Sequence, residues 1–178
     1  MDNFNVYSDI KARTNGEIYV GIVGPVRTGK STFIKPQSSA GKTIMTTEPK
    51  FIPKEAAQIA LSDGVDVKVR LIDCVGFMVE GAAGHIENDT ERLVKTPWFD
   101  AEIPFTEAAE IGTRKVINDH STIGLVITTD GSFGDIKRGN YIAAEEKTIK
   151  ELKNLKKPFL VLLNSMRPYS DETRELAK

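Results

Sequence analysis

Gly24-Pro25-Val26-Arg27-Thr28-Gly29-Lys30-Ser31 fits the pattern G-x-x-x-x-G-K-S/T, and its reading decides the fold of this chain. The run Ile18 to Val23 before it is apolar enough for a buried strand, and Ser31-Thr32-Phe33-Ile34 after it can open a helix. Strand, glycine loop and helix start together form an anion cradle. Loop N–H groups and the positive end of the helix converge on one spot, and Lys30 adds a mobile full charge. Gly24 and Gly29 let the backbone wrap phosphate oxygens where a side chain would collide. Residues Gly24 to Thr32 are therefore the expected phosphate-binding set. Ser31 is placed to offer its hydroxyl to a Mg²⁺ ion that bridges the last two phosphates of a nucleoside triphosphate.

Downstream, Val69-Arg70-Leu71-Ile72-Asp73-Cys74-Val75-Gly76 reads as an apolar strand ending in Asp-x-x-Gly. A carboxylate at Asp73 can hold the same Mg²⁺ opposite Ser31, directly or through water, while Gly76 frees a backbone N–H for the γ-phosphate. In isolation Asp-x-x-Gly is a simple turn. Its place after the second core strand gives it weight. This order resembles the translation-factor and Ras-like P-loop GTPases over nearly the whole chain. The resemblance implies a first-switch threonine on the metal and the γ-phosphate. Within Lys42-Thr43-Ile44-Met45-Thr46-Thr47-Glu48-Pro49 the candidates are Thr46 and Thr47. A solvated threonine-rich loop is the plainer alternative. The expected metal set is Ser31, Thr47 and Asp73, and the expected catalytic set is Lys30, Thr46, Thr47, Asp73 and Arg27.

The departures from that pattern are informative. Where many GTPases carry a water-orienting glutamine, this chain has Phe77, whose ring offers no hydrogen bond. Where the guanine reader Asn-Lys-x-Asp is expected, it has Asn164-Ser165-Met166-Arg167. Guanine presents two N–H donors on one edge; Arg167 is donor-only and cannot accept them. Asn164 and Arg167 remain the expected residues beside the base, and ATP becomes the expected nucleotide.

Several longer runs are more specific than the loop itself. They are Thr28–Ile34, Thr43–Phe51, Thr96-Pro97-Trp98-Phe99, Ile103–Lys115 and Ile127–Ile136. They resemble the stage IV sporulation protein A family, the spore-coat morphogenetic ATPases of endospore-forming bacteria. The resemblance implies the amino-terminal ATPase domain of a longer protein that polymerises with ATP into the basement layer of the coat. It implies a place in the mother-cell cytoplasm at the forespore outer membrane, peripheral to that membrane, with a small membrane-bound anchor protein and other coat proteins as partners.

The bulk properties fit one α/β domain of 178 residues. A net charge of −1 gives no broad electrostatic basis for nucleic-acid binding. The single cysteine, Cys74, leaves no internal disulfide and suits a reducing compartment. No apolar stretch is long enough to span a bilayer, and the start lacks a signal-peptide pattern. The helix after Lys30 meets Pro36 within a few residues, against about 10–14 for an ordinary helix. An additional segment is therefore expected between Lys35 and Pro36. Ser170, with Asp171 and Glu172, predicts a helix start close to the last residue, so the protein is expected to continue past Lys178.

Alternation at Ala57, Ile59 and Leu61, a Ser62-Asp63-Gly64 turn, and alternation from Val65 to Leu71 predict a hairpin. Phe105, Ala108, Ala109, Gly112 and Val116 mark one amphipathic helix, and Ile142, Ile149, Leu152 and Leu155 another. Ile123–Ile127 and Phe159–Leu163 are short apolar strands. The predicted fold is α/β: a mostly parallel sheet with one antiparallel edge strand and helices on both faces, as in P-loop NTPases of GTPase-like form.

Other residues divide between chemical and structural readings. Arg27 either supplies charge beside the phosphates, like a built-in arginine finger, or pairs with a surface carboxylate. Glu80–Asp89, with His85, reads as a second switch, and His120 as a helix cap. Neither histidine has company at metal-ligand spacing, so no zinc site is expected. Trp98 and Phe99 form a docking tip or fold back onto the domain. Asp130 and Asp135 face the nucleotide or end a strand. An ATP-hydrolysing assembly protein is the favoured function; a GTP switch and a P-loop kinase are the alternatives.

Overall fold

The computed structural model describes residues 6–34, 50–82, 85–87 and 90–178. Thr46 and Thr47, the join between Lys35 and Pro36, and parts of the Glu80–Asp89 stretch lie outside the described residues. In chain order the elements are α1 (Val6–Thr14), β1 (Glu17–Val23), α2 (Lys30–Ile34), β2 (Lys50–Ala60) and β3 (Asp66–Asp73). Four short strands follow: β4 (Ile86–Glu87), β5 (Thr90–Glu91), β6 (Leu93–Thr96) and β7 (Phe99–Pro104). Then come α3 (Phe105–Lys115), a π turn over Val116–His120, β8 (Ile123–Thr129), α4 (Ile142–Asn154), β9 (Phe159–Asn164) and α5 (Asp171–Leu176).

Five strands make the main sheet in the order β2-β3-β1-β8-β9. β3, β1, β8 and β9 run parallel; β2 is the antiparallel edge, as the hairpin pattern predicts. Its register shifts between Ile52 and Ala57, around Pro53, which cannot donate to a ladder and is tolerated only at such an edge. The chain leaves β1 toward β3 and later moves from β8 toward β9. Right-handed crossovers then place α2 on one face and α3 with α4 on the other. The reversal makes the carboxyl ends of β1 and β8 the topological switch point, where open α/β sheets hold ligands.

The α3–α4 face is tightly packed. Val23, Ile72 and Val126 of the sheet meet Val116, Ile117 and Leu152. Gly21 and Gly124 permit this approach, since a Cβ on Gly21 would lie 2.8 Å from Ser121 Cβ and one on Gly124 2.7 Å from Leu152 Cδ2. The predicted stripe of α4 is corrected. The buried residues of α4 are Ala144, Glu145, Thr148 and Leu152, while Ile142 and Leu155 are exposed. Thr148 satisfies its hydroxyl by donating to the Ala144 carbonyl at 2.8 Å. β9 is a second departure, with Leu160, Val161 and Leu162 exposed at the edge of the sheet. Ser170 caps α5 as expected, accepting from the Thr173 amide at 3.2 Å.

Helix α1, strands β4 to β7 and the π turn were not predicted from the sequence. Residues 93–104 form a hairpin, β6–β7, with Pro97 and Trp98 at its tip. Trp98 folds back so that Lys115 Nζ lies 5.7 Å from its ring centroid, whereas Phe99 stays exposed. His120 ends the π turn with its ring edge-on to Phe51. Among the described residues no helix is long and apolar enough to cross a membrane.

Candidate nucleotide site

β1 delivers the phosphate loop at its carboxyl end. Gly24 takes φ +125°, and a Cβ there would collide with the Ile127 carbonyl on β8, so only glycine fits. Val26 N donates to the Phe77 carbonyl at 2.9 Å, tying the loop to the Asp-x-x-Gly segment. The Val26 and Thr28 side chains are buried, and Thr28 Oγ1 donates to the Pro25 carbonyl at 3.0 Å. Those residues thus hold the loop's shape. Thr32 is exposed on α2.

Lys30 begins α2 and is almost wholly enclosed. Its ammonium donates to the Gly24 carbonyl at 3.3 Å and to the Pro25 carbonyl. Burial lowers its pKa, opposed by Asp73 among nearby groups. Gly76, at φ +94°, passes so close that a Cβ would meet the Gly24 carbonyl and sit 2.6 Å from Lys30 Nζ. Asp73, at the end of β3, stands opposite: its Oδ2 is 3.5 Å from Ser31 Oγ, and its buried Oδ1 has no hydrogen-bond partner. Burial raises the Asp73 pKa, with the Lys30 charge opposing it. An orphaned carboxylate oxygen beside a serine hydroxyl suits Mg²⁺, which keeps several waters and needs few protein ligands. Cys74 is buried next to it, its thiol pushed up to about 11 chiefly by burial.

Phe77 is 1% exposed and packs inward with Val26, Val79, Ala82, Tyr141 and Ala144. It is a core residue, and a glutamine's role is not available to it. Arg27 adopts φ +62°, rare for a residue with a Cβ, and its side chain is exposed. Its carbonyl faces Tyr141 Oη at 3.5 Å. Among the described residues its guanidinium has no ion pair, so the surface-pair reading finds no partner.

The opposite flank holds contacts that sequence reasoning missed. Asn164 Nδ2 donates to the Thr28 carbonyl at 3.1 Å, fastening β9 to the phosphate loop. Asp130 N donates to the Asn164 carbonyl at 3.3 Å, Ser132 N to Asp130 Oδ1 at 2.9 Å, and Met166 N to Ser132 Oγ at 2.8 Å. Burial works to raise the Asp130 pKa, but hydrogen bonds from Ser132, Ser165 and Thr173 hold it below its ordinary value. Asp130 therefore braces the loops, Asp135 is exposed, and Arg167 is exposed beyond them. No spacing rule predicts such a hydroxyl cluster, because it joins the loop after β8 to residues that follow β9.

A mostly parallel sheet of this order, with a glycine loop at the switch point and Asp73 facing Ser31, defines a P-loop nucleotide-binding domain of GTPase-like form. The family model described as stage IV sporulation protein A, ATPase domain, matches residues 1–35 and 36–178. The chain is 52% identical over 200 positions to Stage IV sporulation protein A of Bacillus subtilis (strain 168), covering 99% of this chain and 41% of that protein. It is 52% identical over 198 positions to the protein of that name from Clostridioides difficile (strain 630), covering 98% and 40%. A crystal structure of an SsGBP mutation variant matches with TM-score 0.48 and 17% identity over 94% of this chain and 45% of its own. The chain belongs to the stage IV sporulation protein A family and corresponds to its ATPase domain. It spans about two fifths of the length of the curated relatives it matches.

Proposed function

We propose that this domain binds ATP with Mg²⁺ on the Gly24–Thr32 loop and hydrolyses it, and that in the full-length protein hydrolysis drives self-assembly into the basement layer of the spore coat. The observation that carries the reading is the pairing of Lys30, enclosed beneath the loop, with Asp73 facing Ser31 across it. Loop amides and Lys30 hold the phosphates. Ser31 and Asp73 are the described residues that would hold Mg²⁺, with Thr47 as a further ligand. When bound, the metal ion neutralises charge on the last two phosphates. Gly76 offers its amide to the γ-phosphate, and Thr46 or Thr47 senses whether that phosphate is present. Arg27 supplies charge as the transition state forms. Arg167 disfavours guanine, which supports ATP over GTP.

The sporulation family and the absence of any acceptor motif support a change of shape as the product of hydrolysis. A γ-phosphate at this edge orders the Thr46–Pro49 segment and the loop after Gly76, and its loss releases both. The assembled protein belongs in the mother cell at the forespore outer membrane surface, held by a small membrane-bound partner and joined by other coat proteins. A segment between Lys35 and Pro36 is part of the proposal. It is supported by a family match that breaks there and by an alignment running to 200 positions for a chain of 178 residues.

Sedimentation of the full-length protein with ATP, with a non-hydrolysable analogue and without nucleotide, each with Mg²⁺ or with chelator, tests this. Assembly is expected with ATP and Mg²⁺ alone. Equal assembly in every condition separates the nucleotide site from polymer formation.

A further inference from the structure

The phosphate loop has two flanks because β1 lies between β3 and β8. The β3 flank is taken: Asp73 and Gly76 converge there on Ser31 and Lys30, the place for a metal ion and the terminal phosphate. A nucleotide laid along the loop must then carry its base away from β3, toward the loops that follow β8 and β9. The switch-point crevice opens on that same side.

An aromatic side chain on that side reaches the phosphate loop. Phe133, in the loop between β8 and α4, places its Cζ 3.9 Å from the position a Cβ on Gly29 would take, and Asn164 Nδ2 is 2.6 Å from that point. Phe133 is half-buried, with its Cζ end toward Gly29 of the phosphate loop. Its loop is not free to drift. Asp130 holds the Ser132 amide, Ser132 Oγ holds the Met166 amide, and Ser165 Oγ holds the Arg167 amide at 2.9 Å. Thr173 of α5 joins the same network, lying 3.3 Å from Ser165 Oγ and 3.5 Å from Asp130 Oδ2.

Resting on the nucleotide-site reading above, we propose that Phe133 is the platform on which the purine base stacks, presented by the joined Asp130–Phe133 and Asn164–Arg167 loops. An aromatic face gives affinity for any base, so it suits a site whose guanine acceptor has been replaced by Arg167. Selection between purines then falls to polar groups of the Ser165–Arg167 turn, while Phe133 supplies base affinity.

The test is calorimetric titration of the full-length protein with ATP, ADP and inorganic tripolyphosphate in the presence of Mg²⁺. Phe133→Ala is expected to weaken ATP and ADP by about 5- to 150-fold, the range for loss of one base–aromatic stack, and to change tripolyphosphate less than twofold. Phe133→Trp should bind ATP at least as tightly as the parent. Phe133→Leu keeps apolar bulk against Gly29 and should lose ATP affinity but not tripolyphosphate affinity, which decides the matter if the alanine variant does not fold. Equal losses on ATP and tripolyphosphate would make Phe133 a brace for the phosphate loop and overturn the proposal, as would undiminished ATP binding in both the Ala and Leu variants. A parent protein that binds neither ATP nor tripolyphosphate would instead overturn the nucleotide site itself.

Discussion

On the β3 flank of the phosphate loop the side chains are charged: Lys30 buried beneath the loop and the half-buried Asp73 opposite Ser31. On the β8–β9 flank they are many, neutral and hydroxyl-bearing: Ser132, Ser165, Ser170 and Thr173, gathered around Asp130 and fastened to the loop through Asn164. The first flank keeps the Lys30, Ser31, Asp73 and Gly76 of a phosphate-handling fold but has Phe77 at the glutamine position. The second has replaced the guanine-reading residues and rebuilt the loop from contacts among remote segments. Phosphate and metal make the same demands whatever base is attached, so the charged flank has little freedom. A base can be gripped by stacking and by several hydrogen-bond patterns, so the other flank can change without loss of fold.

The largest effect should come from the charged flank. Lys30→Ala is expected to lower hydrolysis by on the order of 10³-fold or more, because no other described cation sits beneath the phosphates. Circular dichroism should show the fold retained. A folded variant that hydrolyses ATP normally would remove the chemical distinction between the flanks.

Arg27 belongs to neither flank, and its backbone allows two effects to be separated. Arg27→Gly relieves a left-handed conformation that costs about 1–2 kcal/mol, so stability should hold or rise. Loss of the guanidinium should nonetheless lower kcat by roughly 10²-fold while leaving ATP affinity within a few-fold. Potassium is expected to restore part of the rate by occupying the vacated charge site. Unchanged kcat, measured beside thermal unfolding, would return Arg27 to the solvated surface.

On the neutral flank, competition binding should favour ATP over GTP by about 10-fold or more, since a lost paired contact can forfeit as much as about 10⁴-fold. Tighter GTP binding would mean that this flank still reads guanine and would revive the regulatory-switch reading. The smallest effect should be that of Asn164→Ala. Its bond to the Thr28 carbonyl is of the ordinary kind, about 1 kcal/mol, so affinity should fall about 5-fold. Because Asn164 acts through the phosphate loop, ATP and tripolyphosphate should suffer alike. A loss confined to ATP would move Asn164 from the loop to the base and blur the comparison.

What could be read from the sequence was what depends on neighbours along the chain. The strand–glycine–helix order around Gly24–Ser31, the Asp-x-x-Gly after β3, the β2–β3 hairpin and the Ser170 cap are local, because each needs only a few adjacent residues with the right φ, polarity or spacing. The inability of Phe77 to orient water was also legible, since it follows from side-chain chemistry. The tertiary structure alone decided the rest. That α4 buries Ala144, Thr148 and Leu152 and leaves Ile142 and Leu155 exposed depends on which of its faces meets the sheet. That an apolar strand, β9, leaves Leu160 exposed depends on its place at the sheet edge. The β6–β7 hairpin carries no turn signal strong enough to announce it. Phe133 meets Gly29, and Asn164 meets Thr28, only because right-handed crossovers bring the ends of β1, β8 and β9 side by side. Periodicity records which way a side chain faces along its own element, and only packing determines which element it meets.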